Sequence, residues 1–132
     1  DPEEAAIFAK ESGVDAMAIS VGNVHLQENK EGKLDEDRIQ TIDAATAVPL
    51  VIHGGSGVPV EQRAKLSRET SICKFNIGTE LRMAFGSAMR EAVNLDPTRF
   101  DRVTILKETL DPVEKAAREV IQIFGAPPQA KR

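Results

Sequence analysis

The sequence has 132 residues, of which 41% are hydrophobic and 29% are charged, and its formal net charge is −4. A chain of this size can bury roughly two thirds of its unfolded surface, so we predict one domain over 1–132. It has no apolar run near the roughly 20 residues of a membrane span, and no basic patch typical of nucleic-acid binding. The single cysteine, Cys73, favours a reducing, cytoplasmic setting, and we expect it in the core.

The first predicted elements are a helix and a strand. A helix over 2–11 is predicted because Asp1 can cap it and Pro2 suits its first position. Gly13 is typical of a helix end. The nearly continuous apolar run 14–21 that follows predicts a strand buried on both faces, which is typical of a parallel sheet.

The alternation of helix and strand then recurs twice. Helical spacing over 34–45 precedes the apolar segment 50–53, and a second helical segment over 60–70 precedes the strand 72–76. Three strands that alternate with helices predict an α/β fold with a parallel sheet. In the rest of the chain we predict two helices, over 79–93 and 111–124. The segment 94–109 between them is predicted as a surface connection with at most a short helical turn, and 126–132 as a frayed tail.

Two histidines are candidate metal ligands. His25 and His53 are the only histidines of the sequence, and each follows an apolar strand at an equivalent place in successive βα units. Functional residues of parallel α/β folds lie at the carboxyl ends of the strands, and neutral imidazole is the commonest metal ligand in proteins. The paired placement therefore favours a metal site over two structural histidines.

Two glycine-containing loops are candidate phosphate sites. The segment HGGSG, from His53, joins a strand to a helix, and such a loop can turn its N–H groups toward an anion. Asn76-Ile77-Gly78-Thr79 repeats the arrangement after the next strand. Each loop also has a plainer interpretation, which is a tight turn for the first and helix capping by Asn76 or Thr79 for the second.

Four segments together resemble the C-terminal half of the class II fructose- and tagatose-bisphosphate aldolases: VDAMAISVGNVH, KLDEDRI, VPLVIHGGSGVP and ICKFNIGTELRMAF. They occur in the family's order with similar spacing, and the two motifs HGGSG and NIGTEL are far more specific together than either is alone. The resemblance implies the C-terminal part of a (β/α)8 TIM barrel, with three βα units followed by C-terminal helices.

The resemblance implies a zinc site. His25 and His53 match two of the family's three zinc-binding histidines. The third histidine, and the aspartate that protonates the aldehyde oxygen, lie on an earlier strand of the family and have no counterpart here. Zinc would act as a Lewis acid on the substrate ketone. We expect no catalytic acid in this chain and no activity from the chain alone.

The resemblance also implies a phosphorylated sugar as substrate. Gly54, Ser56, Asn76 and Thr79 match the family positions that bind the dihydroxyacetone phosphate moiety. The implied reaction is reversible cleavage of a ketose 1,6-bisphosphate, with fructose 1,6-bisphosphate as first choice, to dihydroxyacetone phosphate and glyceraldehyde 3-phosphate. A tagatose bisphosphate or a related ketose phosphate is the alternative substrate. We expect a homo-oligomer that binds neither nucleic acid nor membranes.

One departure and two alternative functions stay open. The family's GT-x-HG segment corresponds here to Gly22-Asn23-Val24-His25-Leu26, and leucine has less backbone freedom than glycine, so sugar preference can differ. One alternative is a metal-free barrel enzyme whose histidines transfer protons. The other is a catalytically incomplete paralogue that serves as a binding module.

Overall fold

The computed structural model describes residues 1–24, 26 and 31–125. The described residues form two units, 1–77 and 78–125, and each unit is described by itself. The first unit is α/β with a three-stranded parallel sheet, as predicted. The second unit consists of helices. The prediction of one barrel domain over 1–132 stays a prediction.

The first unit alternates helices and strands along the chain. Its elements are α1 Pro2–Ser12, β1 Met17–Ile19, α2 Glu36–Ala45, β2 Leu50–Ile52, a 3-10 helix Gly55–Gly57, α3 Val60–Glu69 and β3 Ile72–Phe75. The bounds of the first helix are set by a capping residue at each end. The carboxylate of Asp1 accepts hydrogen bonds from the N–H groups of Glu3 and Glu4, and Gly13 ends the helix at a φ of 65°.

The sheet has the order β1-β2-β3, and both strand pairs are parallel. The central strand β2 is buried throughout, and Leu50 and Ile52 are 0% exposed. The first strand differs from the prediction. Only Met17–Ile19 forms a strand. Ala18 is exposed while Met17 and Ile19 are buried, so only one face of β1 packs in the core.

The core of this unit lies between the sheet and the helices. Its buried residues come from each α-helix and each strand of the unit and from three adjoining segments: Ala9, Met17, Ile19, Val21, Leu34, Ile39, Ile42, Leu50, Ile52, Val58, Leu66 and Ile72. The expectation that Cys73 packs in the core is wrong, because only Ile72 of β3 is buried in this cluster and Cys73 is exposed. The last residues of β1 and β2, Ile19 and Ile52, both belong to this core.

The second unit contains α4 Thr79–Leu95, α5 Arg102–Lys107 and α6 Leu110–Ile123. Helix α5 lies in the segment 94–109, where only a surface connection with a short turn was predicted. Asp101 caps α5, and the hydrogen bond from the Thr104 hydroxyl, together with the backbone N–H groups of Thr104 and Val103, lowers the pKa of its carboxyl. The predicted frayed tail 126–132 lies outside the described residues.

No helix in the described ranges is long and apolar enough to cross a membrane.

Candidate functional site

The HGGSG loop and the segment after β3 meet at the carboxyl end of the sheet. The backbone N–H of Asn76 donates to the carbonyl of Ile52 at 2.9 Å, and the N–H of Gly55 donates to the carbonyl of Asn76 at 3.1 Å. The side-chain Nδ2 of Asn76 lies 2.8 Å from Nδ1 of His53. The structure therefore brings His53 and Asn76, two residues that the sequence singled out, into direct contact.

Close packing between these loops requires a glycine at position 55. A Cβ on Gly55 would lie 2.9 Å from Cδ1 of Ile77 and 3.3 Å from the carbonyl oxygen of Asn76. The loop is a short buried helix and not a solvent-exposed turn. Gly54 has a φ of 65°, and the next three residues form the buried 3-10 helix, which includes Ser56. The glycines thus let two strand ends approach each other closely.

The segment that leads into α2 supports the other side of the loop. The N–H of Gly32 donates to the carbonyl of Gly57 at 3.0 Å. The side chain of Gln62 accepts from the N–H of Leu34 at 2.8 Å and donates to its carbonyl at 3.0 Å. Gln62 also donates to Glu36, whose pKa is lowered by its hydrogen bonds with Lys65 and Gln62. These contacts join the start of α2 to the start of α3.

A further contact reaches His53 from the segment after β1. The side chain of Asn23 accepts a hydrogen bond from the N–H of Val21 at 2.9 Å and donates one to the carbonyl of His53 at 3.1 Å. No role was assigned to Asn23 from the sequence. Local sequence patterns do not predict this contact, because it joins residues 30 positions apart in the sequence.

The second predicted metal ligand, His25, lies outside the described residues, so its place beside His53 stays a prediction. The described residues contain no group of three or more His, Cys, Asp or Glu side chains that could hold a metal ion. A site for zinc in this chain therefore rests on His53 in the structure and on His25 in the sequence.

The remaining predicted substrate residues have different surroundings. Ser56 is buried at 5% exposure in the first unit, in the same loop as Gly54. Thr79 is the first residue of α4 in the second unit, and Gly78, the residue before α4, has no side chain that could cap it. Helix capping by the side chain of Asn76 or Thr79 stays the alternative interpretation of this segment. Convergence of all four residues on one phosphate stays a prediction.

Comparison with known proteins decides the family. The sequence model described as "Fructose-bisphosphate aldolase class-II" matches residues 1–128. The chain belongs to this aldolase family. It is also similar to the 6-phospho-5-dehydro-2-deoxy-D-gluconate aldolase of Shouchella clausii (strain KSM-K16), with 38% identity over 128 residues, which cover 96% of this chain and 43% of that protein.

A solved aldolase structure has the same fold. The YdjI aldolase from Escherichia coli K12 superimposes with a TM-score of 0.76 at 30% sequence identity, over 99% of this chain and 46% of that one. The chain thus spans less than half the length of the aldolases it matches. The three βα units and the C-terminal helices agree with part of an aldolase barrel, as the sequence predicted.

The residue that departs from the aldolase motif has an unusual backbone. Leu26 has a φ of 60°, in the left-handed region that glycine adopts freely, and its side chain is 76% exposed. The left-handed conformation costs a non-glycine residue about 1–2 kcal/mol. The family's glycine would avoid this cost, so the departure that the sequence flagged is a strained position in the structure.

We predict that Leu26→Gly in the full-length protein raises the free energy of unfolding by up to about 1 kcal/mol. The relief of strain exceeds the roughly 0.5–1 kcal/mol of extra chain entropy that glycine loses on folding. Urea denaturation measures the change. Leu95→Gly is the matched control, because Leu95 is 77% exposed but helical, and it should not stabilise. Equal shifts for both variants would contradict the strain at Leu26.

Proposed function

We propose that the full-length protein is a zinc-dependent aldolase that reversibly cleaves a phosphorylated ketose. Fructose 1,6-bisphosphate is the first candidate substrate, and dihydroxyacetone phosphate and glyceraldehyde 3-phosphate are the products. The contact between His53 and Asn76 carries the proposal. It joins the two aldolase motifs, which follow the neighbouring strands β2 and β3, and the chain belongs to the aldolase family. We place this enzyme in the cytoplasm as a homo-oligomer.

The surroundings of His53 suit a metal ligand. An imidazole that binds a metal needs partners that restrict its rotation, and such partners are typical of zinc sites. The side-chain amide of Asn76 lies 2.8 Å from Nδ1 of the ring, and Asn23 donates to the carbonyl of the same histidine. A ring that binds zinc through Nε2 carries its proton on Nδ1, and the Asn76 amide, turned so that its oxygen faces the ring, would accept that proton. When bound, zinc would polarise the substrate ketone as a Lewis acid. In the proposal His25 is the second ligand, and a third histidine comes from outside this chain.

The phosphate end of the substrate would bind beside this histidine. Gly54 and Ser56 belong to the loop that follows His53, and Asn76 contacts that loop through its backbone carbonyl. Backbone N–H groups, a hydroxyl and an amide are suitable donors to phosphate oxygens. Thr79 would add a second hydroxyl. In this proposal the chain binds and orients the substrate, while the acid that protonates the aldehyde oxygen comes from elsewhere in the protein.

A specific observation favours a second substrate. The relative from Shouchella clausii is named for 6-phospho-5-dehydro-2-deoxy-D-gluconate, which is also a phosphorylated ketone, and it is 38% identical to this chain. The strained Leu26 in place of glycine is a difference at the predicted pocket that can change substrate choice. Comparing kcat/KM for the two compounds and for tagatose 1,6-bisphosphate in the full-length protein decides among the three.

The roles of Ser56 and Asn76 can be separated by mutation. Ser56→Ala and Asn76→Ala in the full-length protein should each cost about 1.5–3 kcal/mol of transition-state stabilisation, because each removes a hydrogen bond to a charged substrate. That cost corresponds to a loss of about 10- to 150-fold in kcat/KM. Ser56→Ala should keep its zinc. Asn76→Ala should also bind zinc more weakly, because it removes the contact to the ring of His53.

Steady-state kinetics and metal analysis on the same samples test this prediction, and Ser87→Ala is a control at an exposed position of α4. Wild-type kcat/KM in both variants with every phosphorylated ketose would remove the phosphate assignment. An unchanged zinc affinity in Asn76→Ala would show that Asn76 serves the substrate alone.

A further inference from the structure

Asn23 joins the carboxyl ends of two neighbouring strands with a single side chain. Its Oδ1 accepts from the N–H of Val21, two residues after β1, and its Nδ2 donates to the carbonyl of His53, directly after β2. A backbone N–H can only donate and a carbonyl can only accept. These two partners therefore determine the orientation of the amide group.

This contact begins where the strand pairing stops. The ladder between β1 and β2 ends at the pair Ile19 and Ile52, one residue before His53. Beyond that pair, Asn23 links the segments that follow the two strands, across a sequence separation of 30 residues. His53 is thus held at two points, since Asn23 binds its carbonyl and Asn76 lies against its ring.

We infer that Asn23 is a positioning residue for the metal ligand His53. By fixing the backbone carbonyl of His53 to the end of β1, its amide sets the direction in which the histidine side chain leaves the sheet. The inference rests on the proposed function, because His53 is assigned to zinc there. It adds to that function a residue at which this chain differs from the threonine of the family's GT-x-HG segment.

The chemistry of this position requires both a donor and an acceptor. Aspartate has nearly the same shape as asparagine and can accept from Val21, but it cannot donate to the carbonyl of His53. Its carboxylate would instead face that carbonyl oxygen, and two acceptors in contact repel each other. Serine is too short to span both partners. Asn23→Asp and Asn23→Ser should therefore both lose the connection to His53 while keeping a polar residue in the turn.

The test measures zinc affinity in the full-length apoprotein without substrate, by competition with a chromophoric zinc chelator. We expect Asn23→Asp and Asn23→Ser to bind zinc about tenfold more weakly than the wild type, at the lower end of the range for residues that orient metal ligands. Asn94→Asp makes the same atomic change at an exposed position of α4 and should stay within about twofold of the wild type. The visible spectrum of the cobalt-substituted protein should change in the Asn23 variants alone.

Two other outcomes would overturn the inference, and they differ from each other. If the Asn23 variants lower the melting temperature of the apoprotein but leave zinc affinity and the cobalt spectrum unchanged, Asn23 supports the fold and not the ligand. If the wild type binds no zinc, the proposed function itself fails and the inference fails with it. Should Asn23→Asp not fold, Asn23→Ser still decides between these results, since serine is well tolerated in turns.

Discussion

His53→Ala should lower the kcat/KM of the full-length protein for the proposed phosphorylated ketose by roughly a thousandfold. A Lewis-acid metal supplies several kcal/mol of transition-state stabilisation, and each 1.36 kcal/mol corresponds to a factor of ten in rate. Removing one of the three proposed protein ligands should leave the metal weakly bound, because a catalytic zinc usually depends on all three. Zinc analysis of the purified variant and steady-state kinetics measure both effects.

The control for this variant is Cys73→Ala. A thiolate is also a zinc ligand, and Cys73 lies in the neighbouring strand β3, but its side chain is exposed and has no role in the proposed site. Cys73→Ala should therefore keep both zinc and activity. If it loses zinc while His53→Ala keeps it, the ligand assignment is wrong.

A chelator separates the proposed enzyme from the metal-free alternative. The wild-type protein should lose its activity in the presence of a strong chelator and regain it with added zinc, whereas added zinc should not restore His53→Ala. A metal-free barrel enzyme that uses His53 for proton transfer would lose activity on mutation but keep it in the chelator. A catalytically incomplete paralogue would show no activity in any of these samples.

The helices of this chain could be predicted from the sequence because their signals are local. Asp1, Pro2 and Gly13 mark the ends of α1, and the structure places that helix at Pro2–Ser12. Helices α3 and α4 also begin where the sequence predicted them. Only a short helical turn was predicted in the segment of α5, because Arg102–Lys107 is too short for helical periodicity to stand out.

The strands were predicted in the right places but too long. An apolar run such as 14–21 shows that a segment is buried, yet hydrogen bonds to a neighbouring strand decide which of its residues form a strand. Only Met17–Ile19 pairs with Leu50–Ile52. The exposure of Cys73 likewise depends on what packs against β3, and this is not encoded in the local composition of the strand.

Two residues of the candidate site could be singled out from the sequence, but their supporting contacts could not. The motif that opens with His53 and the amide of Asn76 were both singled out, and the structure places them 2.8 Å apart. The contacts of Asn23 with His53 and of Gln62 with Leu34 were missed, because each joins residues about 30 positions apart through one side chain. Only the fold determines such pairs. The metal role of His25 stays a prediction.

Ile52→Ala should destabilise the full-length protein by about 2–5 kcal/mol, the usual cost of removing a large aliphatic side chain from a well-packed core. Ile52 is 0% exposed in the central strand, where it is the partner of Ile19 on one side and of Phe75 on the other. Neighbours on both sides prevent the sheet from closing around the lost atoms, so a cavity should remain.

Two matched variants show whether this loss comes from burial. Ile7→Ala removes the same atoms from the face of α1 where Ile7 is 56% exposed, and it should change the free energy of unfolding by at most about 0.5 kcal/mol. Ile52→Val removes one methylene and should cost about 0.5–1.5 kcal/mol. The midpoints and slopes of urea denaturation give the three values. If Ile52→Ala shifts the midpoint no more than Ile7→Ala, then Ile52 is not the packed centre of the sheet, and the strand end that positions His53 is not rigidly held.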